Sequence, residues 1–308
     1  MFAYILGLIA GLAQPTQTSI NGITGTKVKS PFLATVISFS TALVILLIID
    51  MIVEGNLNIP LSAVAANPLW IWCGGFCGVG IVCLSIICLP YIGSAMVVVM
   101  TSFGQIITSM IIDQFGIFRS PQISMTFTRL VGAILVVAGV VLASREPKKS
   151  DEEGYSYPLK YLALSFVAGM LCAIQIAVNG TLGGVVGSGW FGTTISMSLG
   201  LMGSILLVAI IYAIKGREGV FNDGPDIPFK WYMLTGGSFG VIIVGTNSIT
   251  APLIGAGMVS IMNLIGFMIG GLIIDATGFL GIDKKPVTMV KIVGVLAMVG
   301  GTIVITLL

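Results

Sequence analysis

Stretch after stretch of about twenty residues in this chain carries almost no charge, and the charges collect in the short segments between. As an α-helix rising ~1.5 Å per residue, such a run covers the ~30 Å of a bilayer's hydrocarbon. Runs of this kind fall at 3–23, 31–53, 68–89, 91–112 and 123–143, then at 159–181, 190–214, 230–250, 252–274 and 287–307. Only 8% of the 308 residues are charged and 56% are hydrophobic, whereas soluble domains are about a quarter charged. The chain therefore reads as an all-α integral membrane protein with ten transmembrane helices, since backbone groups in lipid must pair within their own segment. The tightest joints are at Pro90 and Pro252. Proline can open a helix at its first turn but lacks the N–H needed to continue one.

Composition also removes functions. Histidine is absent, which takes away the commonest general base and metal ligand and excludes Ser-His-Asp or Cys-His catalysis. A net charge of +2 implies no nucleic-acid partner. Cys73, Cys77, Cys83 and Cys88 share one apolar run and Cys172 lies in another. They read as small packing residues, not as a disulfide framework, and no metal or cofactor is expected. The first span has no basic segment before it and is expected to stay as a fold element, not a cleaved leader.

The chain is written twice. Gly11-x5-Gln17-x3-Asn21-Gly22 returns as Gly169-x5-Gln175-x3-Asn179-Gly180. Gly74-Gly75-x-x-Gly78 returns as Gly236-Gly237-x-x-Gly240, and Pro90-x-Ile-Gly93 as Pro252-Leu-Ile-Gly255. Met96, Met100 and Gly104 return as Met258, Met262 and Gly266, Asp113 as Asp275, Arg129 as Lys291 and Gly139 as Gly301. The later matches share one spacing of 162 residues and the first motif has 158, so four residues enter between the second and third spans. The expected units are 1–143 and 159–308, joined by the charged segment 144–158.

Five spans is an odd number, so the second copy enters the membrane from the opposite side. The basic residues test this independently. Twelve of the fourteen fall in or beside loops 1–2, 5–6, 7–8 and 9–10, and only Arg119 and Arg129 lie on the other side. The excess marks the cytoplasmic face and places both termini outside and the linker inside. Two inverted five-helix repeats are the architecture of secondary transporters, whose sites lie near the midplane between the halves.

The polar residues within the spans are the candidates for solute contact. Gln17 and Asn21, like Gln175 and Asn179, lie one turn apart on a single helical face. Gln14 joins the first pair, and Gln105 and Asn263 are the amides of the fourth and ninth spans. An amide buried in an apolar span must either find a partner in a neighbouring helix or meet a polar solute. Pro15 is expected to kink the first span and free the Gly11 carbonyl. The glycine pairs Gly7/Gly11 and Gly266/Gly270 mark close helix contacts. Asp113 and Arg129 stand 16 residues apart, as do Asp275 and Lys291. They read as ion pairs that pin a helix hairpin; the alternative makes the carboxylates proton carriers, with protons as the coupling ion.

Together the Gln-x3-Asn-Gly of the first span, Ile37-Ser38-Phe39, Gly74-Gly75, Pro90-x-Ile-Gly93 and the Arg-x-x-Gly of the fifth span carry a resemblance. The chain resembles the drug/metabolite transporter superfamily, specifically its inner-membrane exporter branch of five-helix proteins, as two such units fused. The resemblance implies a cavity lined by the first, third and fourth helices of each half, with the fifth and tenth at the periphery. Small multidrug resistance relatives use a membrane-embedded glutamate in the first helix, where this sequence has only Gln14 and Gln17. The function expected is a secondary transporter, an exporter of a small polar solute across the inner membrane, as a monomer or homodimer. A flippase for a lipid-linked intermediate, with Arg129 on the headgroup, and a non-transporting assembly or sensor protein are the alternatives.

Overall fold

The computed structural model describes residues 1–58, 60–144, 158–221, 223, 225–279 and 288–307, with the backbone alone described at 61, 86, 89, 90, 93–95, 275, 306 and 307. Every regular element among them is helical: α1 (Phe2–Lys27), α2 (Pro31–Val53), α3 (Leu61–Ala65), α4 (Cys73–Phe115), α5 (Phe127–Ala143), α6 (Leu159–Val186), α7 (Gly189–Val220), α8 (Gly236–Thr277) and α9 (Met289–Leu307). Local chemistry sets several ends. Ser30 caps α2 ahead of Pro31, accepting from Leu33 N, and Thr126 caps α5, accepting from Arg129 N. Ser188 accepts from Trp190 N and Phe191 N at the start of α7. These are the side chains that supply acceptors to unpaired first-turn donors. Gly116 (φ 61) and Gly278 (φ 67) close α4 and α8 in the left-handed conformation that favours glycine.

The expected spans do not appear as ten separate helices. Five stretches, 31–53, 96–115, 159–186, 189–220 and 231–274, are long and apolar enough to cross a membrane, and 69–85, 127–143 and 289–305 are shorter apolar helices. The third and fourth spans run together as α4 and the eighth and ninth as α8. Neither proline interrupts the assigned helix; the break in α8 is at Gly255 (φ 81, ψ 157). At 43 and 42 residues, straight helices would be about 64 Å long, twice a bilayer's hydrocarbon.

The contacts show that both double back. Gly74 and Gly78 of α4 face Asn179 and Gln175 of α6, so the first arm runs opposite to α6. Tyr91 then stacks on Tyr161 at 3.9 Å. Beyond it Thr101 Oγ1 donates to Ser165 O (3.3 Å) and Ile112 packs with Ala173 and Ala177, so the second arm runs with α6. On α1, α8 repeats the arrangement: Gly236 and Gly240 face Asn21 and Gln17, and later Gly266 meets Gly11 and Gly270 meets Pro15. Thus α1 lies against the hairpin of the second repeat, and α6 against that of the first.

Equivalent helices of the two repeats also meet each other, and they do so antiparallel. Ser188 Oγ donates to Glu54 Oε1 (2.5 Å), Thr194 Oγ1 donates to Asp50 Oδ2 (2.7 Å), and Phe39 packs on Gly200, which runs α7 against α2. In the same way Gly132 meets Gly301 O and Gly139 meets Gly294 O across α5 and α9. Glycine there lets the two backbones approach at contacts a side chain would block. The largest apolar cluster joins Ile106, Met110, Val136, Met258, Met262, Ile265 and Met298, from α4, α5, α8 and α9. The Met258/Met262 stripe is part of this core.

Candidate functional site

The duplicated amide motif docks on the duplicated glycine motif of the other repeat. A Cβ at Gly74 would lie 2.0 Å from Asn179 Oδ1, and a Cβ at Gly236 would lie 2.1 Å from Asn21 Oδ1. At the second glycine, Gly75 meets Ser196 O and Gly200 N of α7, while Gly237 meets Ser38 O and Ala42 N of α2. At the third, Gly78 leaves 2.8 Å to Gln175 Nε2 and Gly240 leaves 2.7 Å to Gln17 Nε2. Each glycine of Gly-Gly-x-x-Gly therefore admits one neighbour: an asparagine, a helix backbone and a glutamine, in that order. The Gln175 amide also donates to Gly74 O at 3.0 Å.

Beside each glutamine stands an apolar residue that the sequence reading left without a role. Phe39 of α2 touches Gly78 and Gly200, and Met197 of α7 touches Gly240. Both belong to one cluster with Ala42, Leu46 and Val241. Phe39 and Met197 occupy equivalent positions of the two repeats, 158 residues apart like the amide motifs. Gln175 and Phe39 thus flank Gly78, Met197 and Gln17 flank Gly240, and Phe39 and Met197 share one apolar cluster where the repeats meet. Composition did not single this pair out, because a phenylalanine and a methionine within apolar spans carry no polar signature.

The remaining candidates are placed elsewhere. Gln14 is half-buried on α1, and its carbonyl accepts from Thr18 Oγ1 (3.0 Å). Pro15 lies within a continuous α1 and packs on Gly270, so it faces the neighbouring backbone and not an open path. Gln105 is buried where Gly169 of α6 crosses α4. Asn263 Nδ2 donates to Asn247 Oδ1 (3.0 Å), joining the arms of α8, while Asn263 Oδ1 is buried with no hydrogen-bond partner. Asn179 Oδ1 is likewise buried without a partner.

Arg129 Nη2 stands 3.3 Å from Asp113 Oδ2, and its Nη1 donates to Ile123 O (2.9 Å). Asp113 also accepts from Ala256 N (2.9 Å) and Gly257 N (3.0 Å). Those donors are bared by the break at Gly255, so the carboxylate caps the second arm of α8 as well as pairing with Arg129. The side chain of Asp275 lies outside the described residues; Lys291 is buried on α9. Asp50 is fully buried, accepts from Thr194 Oγ1, and has no partner for its Oδ1. Among the described residues no cluster of three metal-ligating side chains occurs.

An all-helical fold with apolar helices long enough to cross a membrane is that of a multi-pass membrane protein. The family model described as "Putative inner membrane exporter, YdcZ" matches the sequence twice, over residues 2–142 and 160–304. The chain belongs to this family, within the drug/metabolite transporter superfamily, and the double match is consistent with two fused units. Among solved structures, one described only as "Crystal structure of protein" matches with a TM-score of 0.65 and 16% identity over 99% of this chain and 96% of that one. At that identity the likeness shows the fold alone. No curated protein matches the sequence.

Proposed function

We propose that the protein exports a small polar solute by alternating access between two inverted five-helix repeats, 1–143 and 159–308. In this reading each long helix, α4 and α8, supplies two spans that meet at its fold-back, which restores the count of ten. The observation that carries the proposal is the symmetric setting of the two glutamines: Gln175 beside Gly78 and Phe39, Gln17 beside Gly240 and Met197, with Phe39 and Met197 in one apolar cluster. The antiparallel contacts of α2 with α7 and of α5 with α9 support a pseudo-twofold axis lying in the membrane plane. Such an axis gives each membrane face one amide, with an apolar contact between.

An amide offers both a donor and an acceptor, so a solute leaving water can exchange its hydrogen bonds for these. A neutral amide cannot compensate a full charge, which favours a polar metabolite over a strongly cationic drug. Phe39 and Met197 act as the plug that keeps the two amides from being open at once. Flux of a panel of labelled neutral amino acids, amides and nucleosides into proteoliposomes, with and without a pH gradient, tests the reading. Gln17→Leu and Gln175→Leu should each lower turnover per folded molecule, and Phe39→Ala should raise leak. Normal turnover in both glutamine variants removes the amides from the path. Lower thermal stability with normal turnover makes them helix contacts only.

A further inference from the structure

On the face of α6 opposite its amides lies a cleft that the transport reading does not use. Residues 177, 180, 181 and 184 follow one another at helical spacing on one side of α6, and 175 and 179 lie on the other. The cleft, about 270 Å³, is bordered by Ala251 and Pro252 of α8 and by the Arg119–Pro121 segment that follows α4. Three features make it a built site. Phe118 and Arg119 both sit at φ 58, a conformation that strains non-glycine residues and persists only where neighbours hold it. Those neighbours are named: Thr181 Oγ1 donates to Phe118 O, Arg119 Nη1 donates to Asn67 Oδ1 (2.7 Å), and the guanidinium lies 6.0 Å from the Trp70 ring. Finally, a Cβ at Gly184 would meet nothing within 4 Å, so this glycine answers to no packing neighbour and leaves the cleft open.

Arg119 is exposed and has no carboxylate partner among the described residues. Lys27 pairs with Asp226 and Arg129 with Asp113; Arg119 is held by a neutral amide instead. One of its five N–H donors is used by Asn67, and the remaining fork matches two oxygens of an oxyanion. Ser120 adds a hydroxyl at the rim. We propose that this cleft binds a phosphate group, presented either by a lipid headgroup or by a free anion, with Arg119 as its ligand. Arg119 follows the C-terminal end of α4, one of the helix termini at which the polar headgroup layer meets a membrane protein.

Trp70 is a built-in reporter. In the full chain in detergent, with Trp72, Trp190 and Trp231 changed to phenylalanine, Trp70 emission is followed on titration with inorganic phosphate and with dihexanoyl phosphatidylglycerol. A saturable change with at least one probe is expected; a response to the lipid alone assigns the headgroup, and a response to phosphate assigns the free anion. Arg119→Gln should weaken binding about ten- to a hundredfold, the loss of a charge-assisted contact, while Arg119→Lys keeps part of it. Gly184→Leu should fill the cleft and abolish the response at unchanged thermal stability, and Gly184→Ala serves if the larger side chain impairs folding. No saturable response to either probe overturns the proposal. So does a response that survives both Arg119→Gln and the filling of the cleft.

Discussion

Three aspartates in this protein are held in three different ways, and their substitutions should separate accordingly. Asp113 is fully buried and has a cation and two backbone donors. Asp113→Asn leaves Arg129 buried and unpaired, and a broken buried pair costs about 3–5 kcal/mol. A lowered melting temperature in detergent, partly restored when Arg129 is changed to leucine as well, is the expected result. Asp50 is equally buried but accepts from a single hydroxyl, so Asp50→Asn keeps that bond and removes an unpaired charge. Its melting temperature should equal or exceed that of the parent, and a fall would show that the charge is compensated. Asp226 lies outside the helices and is exposed, with Lys27 Nζ at 3.0 Å. The hydrogen bond from Lys27, and then its charge, hold this carboxyl below the usual carboxylate range. Its small contribution is therefore present above the unfolded carboxylate value, near 3.9, and lost as pH falls through the depressed one. Asp226→Asn should slightly lower stability at neutral pH and flatten the acid limb of a pH–stability curve, meeting the parent's curve below the depressed carboxylate value.

At the scale of elements, the glycine motif and the amide motif are two halves of one joint. Gly236→Ala places a methyl 2.1 Å from Asn21 Oδ1, and overpacking of this kind costs about 1–3 kcal/mol. The second change Asn21→Ala removes the clash, so the double variant should recover part of the loss, measured as a coupling energy in a thermal-stability cycle. Additive losses would mean that the two residues do not meet. The sequence shows that both motifs are duplicated, because spacing survives in the order of residues. It does not show that each amide motif serves the glycines of the other copy, because the periodicity of small residues marks a face and not the partner of that face. The 16-residue spacing of Asp113 and Arg129 was likewise legible as a pair. The caps at Ala256 and Gly257 were not, since backbone donors bared by a break at Gly255 leave no side-chain signature. Pro90 and Pro252 pointed to the two fold-backs, yet helix is assigned straight through both positions.

For the molecule as a whole, the proposed inverted arrangement predicts sides. With twelve basic residues in or beside the loops that this arrangement puts on one face and two on the other, a cysteine introduced at Ser150 should resist an impermeant thiol reagent added to intact cells and react after permeabilisation. Labelling from outside would invert the topology. The packing of α1 against α8 also has a consequence for how the chain is made. Thr24 hydrogen-bonds to Met233 O, 209 residues later. At ~5–20 residues per second of synthesis, α1 waits roughly ten to forty seconds before its partner leaves the ribosome. It is also the long helix that falls short of the apolar standard its neighbours meet. Until α8 is made, α1 lacks the Gly236 and Gly240 surface on which Asn21 and Gln17 rest in the finished fold.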